Sequence, residues 1–106
     1  MTTLDSFLKK LPKDLHLISG RQKTARSLFL SYSQSDFFKL IDNFSKEQFI
    51  FRFLEKQEEE FIIHFGFIDE NFSIELSIEV KNTNLELNTK LRKYFPSAEI
   101  YLSEFF

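Results

Sequence analysis

An α+β domain with a mainly antiparallel sheet is predicted by three features of this 106-residue sequence. The first is the stretch Phe72-Ser73-Ile74-Glu75-Leu76-Ser77-Ile78-Glu79-Val80, apolar at every odd step and Ser or Glu at every even one. Successive side chains of a strand point to opposite faces, so Phe72, Ile74, Leu76, Ile78 and Val80 face a core while Ser73, Glu75, Ser77 and Glu79 face water. A one-residue slip in pairing would bury both glutamates, which fixes the register. The second is a pair of aromatic and β-branched runs just before it, Phe49–Leu54 and Phe61–Ile68, which with Phe72–Val80 make a three-stranded meander over about 49–80. The third is a set of short segments with helical spacing on either side, able to cover one face of that sheet.

In chain order, Thr3 is placed to cap a short helix whose Leu4, Phe7, Leu8 and Leu11 share a face, and Pro12 stops it. Leu15-His16-Leu17-Ile18 is read as a short strand ended by Ser19-Gly20. A polar loop carrying Arg21, Lys23 and Arg26 runs from Gly20 to Ser27, with a positive-φ turn expected at Gly20. Leu28–Tyr32 is the next strand. Ser33 to Ser35 offer caps for a helix with Asp36 in its first turn and Phe37, Leu40, Ile41 and Phe44 along its buried stripe. Glu55-Lys56-Gln57-Glu58-Glu59-Glu60 is read as an exposed connection, Asp69-Glu70-Asn71 as a turn, and Lys81–Asn84 as another. Leu87, Leu91 and Tyr94 mark a helix stopped by Pro96, and Ala98–Phe106 follows with Ser97 as its cap.

Composition sets the outer limits. One domain with one core is expected at this length. The 42% hydrophobic and 28% charged content is that of a folded globular chain. No apolar run approaches the ~20 residues needed to span a bilayer, and the N-terminus has no signal-peptide pattern. With no cysteine, thiolate metal sites, iron–sulfur ligation and a cysteine nucleophile are excluded, which fits a reducing cytoplasm. Net charge is -2, which argues against a general nucleic-acid binder. The charge is uneven: residues 1–53 hold nine Lys/Arg and five Asp/Glu, residues 54–106 five and eleven. Such asymmetry either orients a partner or is an ordinary solvated surface. The fifteen phenylalanines fit an AT-rich coding bias, and equally a chain that buries surface against partners as well as in its own core.

No catalytic constellation is visible in the sequence. His16 and His64 lack further ligands at metal-binding spacing, and both are read as structural. Glu58-Glu59-Glu60 reads as a solvated turn. The serines lack the glycines of a nucleophile elbow, and Gly20 and Gly66 cannot make a phosphate loop. Lys9, Lys10, Lys13, Arg21, Lys23 and Arg26 form a loose basic patch without interleaved aromatics. The remaining feature is the apolar end, Ala98 to Phe106, which docks either on its own core or into a partner.

The element order has a further reading. A strand and helix lead into a meander, then Asn82-Thr83-Asn84-Leu85, a short helix, and Phe95-Pro96-Ser97-Ala98-Glu99-Ile100-Tyr101-Leu102-Ser103-Glu104. This resembles the thirty-kilodalton peripheral-arm subunit of respiratory complex I and its short counterparts in Ech-type and formate-hydrogenlyase-type membrane-bound nickel–iron hydrogenases. In that family a helix begins at an aromatic-Pro-x-Ala step and runs through Asn-Trp-aromatic-Glu-Arg-Glu to an Asp and a Gly. Phe95, Pro96, Ala98, Tyr101 and Glu104 match it. Glu99 and Ile100 stand in place of Asn and Trp, Leu102-Ser103 in place of Glu-Arg, and the given sequence ends before the Asp and Gly.

The resemblance implies a non-catalytic assembly subunit of an oxidoreductase complex, with no cofactor of its own. It would pack against the large catalytic subunit and the iron–sulfur subunit, bind no nucleic acid and insert no segment in the membrane. It would sit on the cytoplasmic face of the cell membrane through its partners, with Pro96, Ala98, Tyr101, Glu104, Phe105 and Phe106 at the interface. The alternative is a free-standing α+β adaptor or small-ligand-binding protein. The two differ in whether the surplus phenylalanines turn outward to a flat patch or inward to a cavity.

Overall fold

A computed structural model describes residues 2–70 and 72–105. Five strands form one sheet: β1 (Ser19–Thr24), β2 (Ser27–Ser33), β3 (Phe49–Gln57), β4 (Glu60–Asp69) and β5 (Phe72–Lys81). Their order across the sheet is β1-β2-β5-β4-β3. The meander β3-β4-β5 is antiparallel, as is the hairpin β1-β2, and β5 joins the two by pairing parallel with β2. Helices α1 (Thr3–Leu8), α2 (Gln34–Asn43), α3 (Leu85–Tyr94) and α4 (Glu99–Phe105) complete the α+β fold. No helix among the described residues is long and apolar enough to cross a membrane.

One face of the sheet holds the core. Leu28, Leu30 and Tyr32 of β2, Ile74, Leu76, Ile78 and Val80 of β5, and Phe61, Ile63, Phe65 and Phe67 of β4 are buried. The same cluster takes Phe7 from α1, Phe37, Leu40 and Ile41 from α2, Leu87 and Leu91 from α3, and Leu102 from α4. The helices thus share one layer over one face. Aromatic rings fill its centre: Phe67 meets Phe7 edge-on at 5.2 Å and Phe44 at 4.9 Å. Phe65 lies 5.4 Å from Phe49 and 5.0 Å from Phe95. Edge-to-face pairs of this kind add about 0.5–1.5 kcal/mol beyond area burial. Seven phenylalanines are buried in this layer, and among the described ones Phe53 alone is exposed. Among the described residues the surplus aromatics go mainly into this core.

Local chemistry sets the helix ends. Thr2, not Thr3, caps α1 by accepting from the Asp5 amide, and the helix closes at Leu8, well before Pro12. Ser33 caps α2 by accepting from the Asp36 amide at 3.2 Å. Asn84 caps α3 and also binds Gln34 of α2 twice, at 2.9 Å each way. A 3-10 turn over Pro96–Ala98 precedes α4, so Ser97 lies inside that turn and is not a helix cap.

Other expectations need correction. Leu15–Ile18 is not a strand; Leu15 and Leu17 pack on the core from an irregular segment, and β1 forms over the polar residues read as a loop. Gly20 has no positive φ; a Cβ there would come within 3.0 Å of both Leu17 Cδ2 and Leu30 Cδ2, so its value is closeness to those side chains. The polar connection after Leu54 is mostly strand. β3 continues to Gln57, β4 starts at Glu60, and Glu58-Glu59 alone make the turn, with Glu58 at φ 57°. Of the expected Asp69-Glu70-Asn71 turn, Asn71 lies outside the described residues.

Two groups give the fold a pH dependence. Burial first, and then the nearby Asp36 carboxylate, push the Tyr32 hydroxyl up from 10.0 to about 12. At the α2–α3 junction, Asp42 accepts hydrogen bonds from the Tyr94 hydroxyl and from Lys90, the latter at 3.0 Å. Burial alone would raise the Asp42 carboxyl, but these bonds and the charges of Lys90 and Lys93 outweigh it and hold it below its ordinary 3.8.

A raised tyrosine favours the protonated folded state, so stability is expected to decline as pH rises from 10 towards 12. In Tyr32→Phe the urea midpoint should lose that component of its alkaline slope. For Asp42 the sign is opposite: its contribution is full above 3.8 and is lost as pH falls through its lower folded value. Asp42→Asn should therefore flatten the acid limb of the same urea titration.

Candidate functional site

The face of the sheet away from the helices carries the polar residues of alternate positions. Cross-strand register lays them in rows. One row reads Arg21–Phe29–Ser77–His64–Phe53, from β1 through β2, β5 and β4 to β3. The next reads Ser19–Ser31–Glu79–Ile62–Glu55. On the other side of the first row, Glu75, Gly66 and Ile50 stand in line.

A bulge in β3 makes this surface. Phe51 pairs with Phe65 and Phe53 with His64, so Arg52 has no partner across the ladder. Side-chain parity changes at that step: Phe51 and Leu54 serve the core, while Arg52 and Phe53 both face outward. Arg52 crosses Gly66 and its guanidinium donates to Glu75 Oε1 at 3.0 Å. A Cβ on residue 66 would lie 2.8 Å from Arg52 Nη2, so the glycine provides the floor on which the guanidinium rests.

Phe53 stacks on the His64 ring with centroids 4.0 Å apart and planes 17° from parallel. His64 Nε2 lies 2.8 Å from Glu55 Oε1, and Nδ1 lies 2.8 Å from Ser77 Oγ. An ionised carboxylate only accepts, so Nε2 carries the proton of neutral His64 and Nδ1 accepts from the Ser77 hydroxyl. The result is a hydrogen-bonded chain, Ser77 O–H to His64 to Glu55, across three strands. The Ser77 backbone belongs to β5, which is paired on both sides. Around the chain, Ser31 donates to Glu79 at 2.8 Å, and Lys81 lies 3.4 Å from Glu79 and 3.7 Å from Glu60. Phe29 lies 5.0 Å beneath the Arg21 guanidinium. Aromatics and arginines therefore do meet on this face, but Glu55, Glu60, Glu75 and Glu79 balance the cations, which disfavours a phosphate backbone.

Alternation along the strand places His64 on this face but does not name its partners. Asp69 pairs with Phe72, and counting back from that pair sets His64 opposite Ser77, a relation that hairpin counting can find. Glu55 reads as loop in the sequence, and the bulge that turns Phe53 outward has no sequence signal of its own.

The expected interface residues lie elsewhere, around α4. Pro96 is exposed in its 3-10 turn, and Ala98 is fully buried. Tyr101 is half-buried against Phe51 at 5.8 Å, and Phe105 meets Phe61 at 6.2 Å. Glu104 is exposed, and Phe106 lies outside the described residues. Ile100, which is not among the residues matching the motif, is 79% exposed on the same helix. Among the described residues no cluster of three or more His, Asp or Glu side chains is placed to hold a metal ion. No protein-family profile, curated protein or solved structure shows a significant match to this chain.

The hydrogen-bond chain can be checked directly. Nitrogen-detected proton correlation spectra of the imidazole are expected to show neutral His64 as the Nε2–H tautomer. An Nδ1–H signal would reverse the assigned direction of the Ser77 bond.

Proposed function

We propose that this protein is a non-catalytic assembly subunit of a membrane-bound oxidoreductase complex, of the kind its sequence resembles. It would dock through α4 and its surroundings on the large catalytic subunit, beside the iron–sulfur subunit. The observation that carries this reading is the state of α4. Leu102 and Ala98 anchor the segment completely, Tyr101 and Phe105 are half-covered, and Ile100 projects with 79% of its surface bare. A short helix that is held firmly yet leaves a large β-branched side chain in water suits a surface that a partner completes. Pro96, Tyr101, Glu104 and Phe105 would border Ile100 at that contact. Ala98 would act from beneath, as part of the packing that holds the helix in place.

The test is to tag the chain in its own host, solubilise the membranes gently and identify what co-purifies. Recovery with a hydrogenase-like or quinone-reductase-like large subunit is expected. Ile100→Asp should reduce that recovery at least tenfold with the urea midpoint of the purified protein unchanged. Leu102→Ala should instead cost the fold itself ~2–5 kcal/mol. Recovery of the chain alone, from the soluble fraction, would overturn the reading and favour a free-standing adaptor.

A further inference from the structure

We propose that Ser77 is a nucleophile activated by His64 and positioned by Glu55, and that the open face accepts acyl groups from small activated carboxylic esters. This adds an activity of the chain's own to the assembly reading, in which it takes no part in the redox reaction of the complex, and it rests on different residues. The order of groups is that of a nucleophile, its base and the acid that orients the base, with both bonds at 2.8 Å. The base is fixed on three sides: Glu55 holds Nε2, Ser77 holds Nδ1, and Phe53 covers one ring face. Its position is hard to displace, because Ser77 and His64 are direct neighbours across the β4–β5 ladder.

Charge stabilisation has to come from a side chain. Backbone amides of a strand paired on both sides are engaged in the ladder, so they cannot form the usual pair of oxyanion donors. Arg52 takes that place. The Gly66–Glu75 pair beneath its guanidinium is one step along the same face from the His64–Ser77 pair. That step is about 7 Å along the strands, and to reach the oxyanion the 46% exposed guanidinium exchanges its bond to Glu75 for one to that oxygen. Ser77 is 7% exposed, so only a small acyl group such as acetyl reaches it. Ile50 and Phe53, 39% and 43% exposed, supply an apolar shelf for the leaving group.

In the acylation step Ser77 Oγ bonds to the ester carbonyl carbon and its proton passes to His64 Nδ1. Glu55 stabilises the imidazolium, and Arg52 faces the oxygen that becomes negative. Collapse breaks the bond to the leaving oxygen, which departs with the proton from Nδ1. Water then attacks acetyl-Ser77 by the same proton route. Acetate leaves, the Ser77 hydroxyl is restored, and the sum is ester plus water to acid plus alcohol.

The experiment exposes the purified full chain to a small methyl fluorophosphonate, whose groups at phosphorus are no bulkier than those of an acetyl ester and which loses fluoride as the serine oxygen bonds to phosphorus, and maps the adduct by peptide mass spectrometry. A single adduct at Ser77 is expected, absent from heat-denatured protein and from Ser77→Ala. His64→Gln should slow labelling at least tenfold, and Glu55→Gln should slow it while moving the midpoint of its pH profile. p-Nitrophenyl acetate should release one equivalent of phenolate rapidly, then more slowly as the acyl group hydrolyses. No adduct on the native wild-type chain, an adduct at another residue, or equal labelling of native and denatured protein would overturn the proposal. Each of these outcomes is read on the wild-type chain, so it holds even where a variant fails to fold.

Discussion

Strand β5 is the constraint on which the rest of the molecule depends. It joins the hairpin to the meander, running parallel to β2 and antiparallel to β4. Its alternation therefore decides the parity of both. Once Ile74, Leu76 and Ile78 face the helices, Leu28 and Leu30 on one side and Phe65 and Phe67 on the other must face them too. A slip on either side would bring Glu75 and Glu79 under a layer of phenylalanine rings. Unpaired carboxylates there would cost several kcal/mol each.

That same parity explains how much of the fold can be read from residues alone. β4, β5 and α2 are legible because their apolar positions keep a single period, and β3 is legible as a strand from its aromatic and β-branched content although its parity changes at Arg52. β1 is not, since Ser19-Gly20-Arg21-Gln22-Lys23-Thr24 is exposed throughout and leaves no burial pattern. Leu15 and Leu17 mislead in the opposite sense: they are buried in part, yet the chain between them is irregular. Glu55 and Gln57 belong to a strand despite their charge and polarity because they take the open-face parity, opposite Ile62 and Glu60.

The open face is harder still to read. Alternation correctly turns His64 and Ser77 outward, but their contact depends on how many residues separate β4 from β5. Glu55 and Phe53 join them only because β3 takes one extra residue at Arg52. Were Arg52 paired in ordinary alternation, Phe53 would point into the core and Leu54 out of it. Gly66 shows the same dependence on context: nothing in its neighbours along the chain announces that an arginine from the next strand will lie across it.

The bulge at Arg52 has a counterpart. At the opposite edge of the sheet the β1–β2 register shifts between Gln22 and Thr24, leaving Lys23 unmatched. Both border strands are thus kinked, and in each the odd residue out is a base. Such kinks twist a strand away from straight pairing. A chain so rich in phenylalanine carries an inherent tendency to stack sheet on sheet into polymers, and this arrangement opposes it at both borders. Neither margin of the sheet is thus a straight edge along which a sixth strand could pair without a break.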